Sequence, residues 1–219
     1  MSEGTVMDPR VAATPPGWYG KLPALGDFAS RRLPKPFIER IDAWLQAGIE
    51  ASRNELGEPW LAVYLHAPIQ RFWIAPGVSE LPAWIGVLMP SVDRVGRHFP
   101  LLIASEIGAA DRFAADHLPD PDWFRSLEDV AVAALDLNAT LEDLESRLAG
   151  LGGPPVGALL PDARNDALVA SVIAARPGPG PASVWWVEHS DGSISARAFD
   201  ALPPPGEFAR LLEGWPAGS

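Results

Sequence analysis

The sequence predicts an α/β fold, a three-layer α/β/α sandwich built on a central mixed sheet. Three observations carry this expectation. Trp84-Ile85-Gly86-Val87-Leu88-Met89 and Pro100-Leu101-Leu102-Ile103-Ala104 are apolar runs of strand length without alternation, so both faces of the sheet should be covered by helices. Two long stretches repeat apolar residues at helical spacing. A hairpin pattern lies in the second half of the chain. With 219 residues, 47% of them apolar, the chain can bury a sizeable core.

Residues 1–16 read as a polar, flexible lead-in, and 17–219 as a single domain. The lead-in lacks the basic start and apolar stretch of a secretory signal. Gly17 to Phe28 is punctuated by Gly and Pro and predicts loop with one short strand. Pro34 and Pro36 open a helix whose buried face is Phe37, Ile38, Ile41, Leu45 and Ile49. Gly57 supplies its C-terminal cap. Trp60–Leu65, Arg71–Ala75, Trp84–Met89 and Phe99–Ala104 are short apolar runs between turn residues and predict strands.

Asp120-Pro121-Asp122 starts a second helix with Trp123, Leu127, Val130, Ala134 and Leu135 inward. Thr140 with Asp143 has the form of a capping box for a third, carrying Leu141, Leu144, Leu148 and Leu151. Leu151–Pro161 is rich in Gly and Pro. Ala163–Ala175 fits a helix, and Arg176–Pro181 a loop. Ser183–Val187 and Ser193–Phe199 form a hairpin through Asp191-Gly192. A short helix closes at Gly206–Leu212. Adjacent Trp185 and Trp186 in one strand must point to opposite faces.

Composition excludes several function classes. There is no Cys, so no disulfide framework and no thiolate metal site. His66, His98, His117 and His189 have no metal-ligand spacing. No apolar run approaches the ~20 residues needed to span a bilayer, and the chain is expected in the cytoplasm. Residues 1–100 hold ten basic and ten acidic residues, so residues 101–219 carry the entire net charge of −11. Such a chain should repel nucleic acid and anionic lipid. A local basic patch in the first half would draw on Arg31, Arg32, Lys35, Arg71, Arg94 and Arg97.

No catalytic signature stands out. Gly20-Lys21 is followed by Leu22, not by the Ser or Thr of a phosphate loop. Ser91, Asp93 and His98 supply the residue types of a hydrolase triad, but there is no Gly-x-Ser-x-Gly elbow. Pro90 before Ser91 favours a turn hydrogen bond. Asp93 with Arg97, and Asp27 with Arg31, sit four apart and suit ion pairs.

Two segments are denser in shape-fixing residues than the rest: Gly17-Trp-Tyr-Gly-Lys-Leu-Pro-Ala-Leu-Gly-Asp-Phe28 and Met89-Pro-Ser-Val-Asp-Arg-Val-Gly-Arg-His-Phe-Pro-Leu101. With Arg31-Arg32-Leu33-Pro34, Trp44-Leu45, Pro68–Phe72 and Gly86-Val87-Leu88, they resemble the TagF (ImpM) family of type VI secretion-associated proteins. The resemblance covers roughly residues 17–105. One departure is Gln70, where a bulky aromatic is usual.

The resemblance implies a central sheet between helices and a cytoplasmic, non-enzymatic, post-translational regulator. It implies a protein that holds the secretion apparatus silent, in some systems by engaging a scaffold with a forkhead-associated domain. Some relatives carry a fused protein phosphatase domain, of which this sequence shows no trace. Neither catalytic residues nor a cofactor is implied. Partner binding is expected to use Tyr19, Lys21, Asp27, Arg31, Arg71, Asp93, Arg94 and Arg97. The rival readings are a hydrolase acting through Ser91, Asp93 or Asp27 on a cell-envelope or signalling substrate, and a structural subunit.

The unbroken run at 84–89 generates the first prediction. Val87→Asp buries an unpaired charge and should cost more than about 3 kcal/mol. A chemical-denaturation curve unchanged from the parent would refute the strand assignment.

Overall fold

The computed structural model describes residues 14–77, 82–107, 113–114, 118–155, 163–175 and 180–215. The expected lead-in before Thr14, His117 and the loop at 176–179 lie outside them, as do residues 156–162 of the Gly/Pro-rich stretch.

Seven strands form one sheet: β1 (Gly17–Gly20), β2 (Ala29–Arg31), β3 (Gln70–Ile74), β4 (Trp84–Met89), β5 (Leu101–Glu106), β6 (Ser183–Glu188) and β7 (Ile194–Phe199). Their order is β2-β1-β5-β4-β3-β6-β7. Every pairing among them is antiparallel, which corrects the expected mixed sheet. The apolar runs at β4 and β5 report cover on both faces, and cover does not dictate strand direction. The 183–199 hairpin forms as expected, and β2 is a short strand the sequence reading did not resolve.

Side chains of every strand but β2 divide between two apolar clusters. Trp18, Trp73, Ile85, Val87, Leu101, Ile103, Val184 and Trp186 join one with residues of α3 (Pro121–Ala133), α4 (Leu141–Leu151) and α5 (Ala163–Ala175). Tyr19, Phe72, Trp84, Leu88, Leu102 and Trp185 join the other with residues of α1 (Lys35–Leu56), α2 (Trp60–His66) and α6 (Phe208–Leu212). Trp185 and Trp186 thus face opposite ways, and both are buried.

The helix ends follow local chemistry. α1 stops at Gly57, whose φ of 59° suits a residue without Cβ and whose N–H reaches the Arg53 carbonyl. Asp120 caps α3 by accepting from the Asp122 N–H. Thr140 and Asp143 form the reciprocal box at the start of α4.

The segment 60–66 is a helix, not the expected strand. Trp60 and Tyr64, four apart, are buried, while Leu61 and Leu65 are exposed. Burial follows helical spacing, and the apolar Leu pair on the solvent side had made the run look continuous.

Gln70 turns out to be a buried polar clasp. Its Nε2 donates to the Leu211 carbonyl at 2.7 Å, and its Oε1 accepts from Trp215 Nε1 at 2.9 Å. Both amide atoms are satisfied, as a buried amide requires.

The contact between α1 and α6 rests on a missing side chain. A Cβ on Gly48 in α1 would lie 2.2 Å from the Phe208 ring of α6. Ala is the better helix former by about 1 kcal/mol, yet overpacking a filled core costs about 1–3 kcal/mol. Gly48→Ala should therefore unfold at lower denaturant than the parent; a higher midpoint would show that α6 shifts freely.

Candidate functional site

The two dense sequence segments meet because β1 pairs with β5, with Gly20 opposite Leu101. The loop after β1 and the loop before β5 leave the sheet side by side. Gly20 is required at this junction. Its φ is 141°, and a Cβ there would fall 2.1 Å from the Pro100 carbonyl oxygen.

The loops are joined by a buried ion pair. Lys21 Nζ donates to Asp93 Oδ2 at 3.0 Å, and the Asp93 side chain has no exposed surface. The same carboxylate accepts from Arg97 Nε at 2.6 Å and from the N–H groups of Val95 and Arg97 at 3.0 and 2.8 Å. Burial disfavours the charged form. The Arg97 N–H, the Lys21 ammonium, the Arg97 guanidinium and the Val95 N–H outweigh it and hold the Asp93 carboxyl well below the usual carboxylate range.

Further bonds knit the loops. Arg94 N–H donates to the Leu25 carbonyl at 2.9 Å, and Arg97 Nη2 to the Gly26 carbonyl at 2.6 Å. Ser91 Oγ donates to the Lys21 carbonyl at 2.6 Å. Tyr64 OH donates to the Ser91 carbonyl at 2.9 Å and accepts from the Ser91 N–H at 3.0 Å. Phe28 packs between Tyr19 and Phe99, with Lys21 Nζ 4.8 Å from its ring centre. Tyr19 OH donates to Asp42 Oδ1 at 2.6 Å.

The eight expected binding residues divide. Tyr19, Lys21, Arg71 and Asp93 are buried, while Asp27, Arg31, Arg94 and Arg97 are exposed. Tyr19, Lys21 and Asp93 hold the loops from beneath. Arg71 belongs elsewhere: its guanidinium forks onto Glu128 of α3 at 2.6 and 3.0 Å and reaches Glu188 of β6 at 2.6 Å. Asp27 accepts from the Phe28 N–H and does not pair with Arg31, because 29–31 is extended and four-residue spacing brings side chains together only in a helix. Asp93 and Arg97 do pair, through a tight turn with Gly96 at φ 81°.

Sequence reasoning missed Tyr64, since its segment read as a strand. Glu128 and Glu188 were missed because they lie 57 and 117 positions from Arg71. The triad residue types do not assemble. Ser91 Oγ is engaged by a carbonyl, Asp93 by its four donors, and His98 packs edge-on against Trp60 and Tyr64. Burial, then the nearby Arg53 charge, pushes the His98 pKa down. Among the described residues, no group of three His, Cys, Asp or Glu is placed to hold a metal. Nor, among the described residues, is any helix long and apolar enough to cross a membrane.

The family model for the TagF N-terminal domain, type VI secretion system-associated, matches residues 17–151. The chain belongs to the TagF family. A solved structure, that of PA0076 from Pseudomonas aeruginosa PAO1, is 37% identical. The match covers 90% of this chain and 93% of that one with a TM-score of 0.73. No curated protein matches. The braced loops fall inside the TagF-matching residues, as do all seven residues that fix them: Lys21, Leu25, Gly26, Tyr64, Ser91, Asp93 and Arg97.

The Asp93 geometry sets a pH dependence. Its folded pKa is depressed, so its stabilisation is complete above the ordinary value of about 3.9 and is lost as pH falls below that. Asp93→Asn leaves Lys21 buried without a counterion and should melt below the parent at neutral pH. The gap in Tm should narrow below about pH 4. A gap constant across that range would mean that charge on Asp93 contributes nothing.

Proposed function

We propose that this TagF-family protein, ImpM-like in its motifs, is a non-enzymatic, cytoplasmic, post-translational repressor of type VI secretion. It acts by occupancy: it binds a secretion-system component, such as a scaffold with a forkhead-associated domain, and withholds it from assembly. The single observation carrying this reading is the state of the polar groups in the braced loops. Ser91 and Asp93 are engaged internally, and the side chains turned outward include Asp27, Phe28, Arg94, Val95 and Arg97. That arrangement supports recognition, since a nucleophile needs a base within reach. The division of strand side chains between two helix-lined clusters supports the three-layer α/β/α order as part of the same proposal.

Occupancy and catalysis differ in stoichiometry. Titrating the cellular amount of the protein should show repression fading once it falls below that of its partner. Full repression at a small fraction of the partner's copy number would favour the hydrolase reading.

A further inference from the structure

The turn at 93–97 carries a cation that the fold does not use. Arg97 is bound to Asp93 and Gly26, Arg32 to Glu145 and Pro16, and Arg71 to Glu128 and Glu188. Among the described residues, the Arg94 guanidinium has no hydrogen-bond or ion-pair partner. It lies over Gly26, where a Cβ would come within 3.2 Å of its Nη2. Its backbone is pinned by the Leu25 carbonyl. Beside it Val95 is 68% exposed, and Phe28, on the facing loop, is 43% exposed. A free guanidinium next to exposed apolar side chains, on loops already fixed by a buried ion pair, is preorganised for binding.

The backbone decides which anion suits it. Phosphate is held by converging N–H groups. Here the N–H groups of Arg94, Val95, Gly96 and Arg97 all donate within the protein, and the anionic Asp93 carboxylate lies beneath them. What remains is one planar fork flanked by Val95 and Phe28, with the exposed Asp27 carboxylate on the facing loop; the fork and its apolar flank fit a carboxylate neighbouring an apolar side chain. Because residues 101–219 carry the net −11, the surface also stands out electrostatically from the rest of the chain.

We propose that Arg94, Val95 and Phe28 form a docking surface for an acidic protein segment with an apolar anchor, the carboxylate on Arg94 and the anchor on Val95 and Phe28. This rests on the binding-regulator reading and specifies the partner's chemistry.

The test is selection of a display library of randomised peptides on the full chain, with Arg94→Glu, Val95→Asp and the charge-matched surface variant Arg147→Glu in parallel. Unchanged circular dichroism and Tm establish that each variant is folded. Enriched peptides should pair Asp or Glu with an apolar residue. They should bind Arg94→Glu at least about tenfold more weakly, a loss of about 1.4 kcal/mol, and weaken in salt. Val95→Asp should weaken them too, and Arg147→Glu should not. Peptides lacking acidic residues, equal binding to Arg94→Glu, displacement by inorganic phosphate, or self-association abolished by Arg94→Glu would each overturn the proposal. The regulator reading is tested separately by secretion from cells. If raised levels of the parent protein leave secretion unchanged, that reading fails whatever the peptides show. If the parent and Arg94→Glu repress equally, the docking surface fails while the regulator reading stands.

Discussion

The shape of the candidate site depends on one buried carboxylate. Asp93 gathers an ammonium, a guanidinium and two backbone N–H groups from two loops that are 70 or so positions apart in the chain, the Ser91–Lys21 separation being 70. A buried ion pair is not by itself strong support for stability, because desolvation offsets much of the attraction. What it does supply here is position. With its charge compensated on every side, Asp93 admits one arrangement of the turn, and that arrangement fixes where Arg94 and Val95 point. Tyr64 extends the restraint to α2 through both backbone groups of Ser91.

The sheet imposes the second constraint. Because its central strands are covered on both faces, every inward side chain must fit against a helix. The chain meets this with aromatic pairs: Phe37 on Trp84 at 4.2 Å, Trp44 on Trp185 at 5.0 Å, and Phe124 on Trp186 at 5.2 Å. Their polar edges differ: Trp44 Nε1 donates to the Pro203 carbonyl at 2.7 Å, whereas Trp84 Nε1 is buried without a hydrogen-bond partner. The loops at the end of such a sheet inherit a rigid base.

Much of this was legible in the sequence, because helical periodicity and caps are local. The extents of α1 and α4, the start of α3, the Thr140–Asp143 box and the 183–199 hairpin all follow from neighbouring residues. Strand direction was not legible, since apolar runs encode cover alone. The helix at 60–66 was hidden by Leu61 and Leu65, which are apolar without being buried. At the site, the Gly, Pro and charged residues of the two segments marked the right loops. They did not reveal which charges turn inward: nothing local separates Asp93, enclosed, from Asp27, exposed. That difference arises from the β1–β5 pairing, a long-range fact. Gln70 shows the same limit, since its partners lie 141 and 145 positions away.

That clasp bears on where the domain ends. The family match stops at residue 151, yet β3 lies between β4 and β6, and β6 begins at Ser183. Both apolar clusters draw residues from beyond 151, among them Val184 and Trp186 on one face and Trp185, Phe208 and Trp215 on the other. A chain cut at the family boundary would strip β3 of a neighbour and leave Phe72 and Trp73 beside an open backbone edge, the arrangement that invites strand-to-strand aggregation. The sheet and both apolar clusters thus run past the family-model boundary, as does the match to PA0076, which covers 90% of this chain.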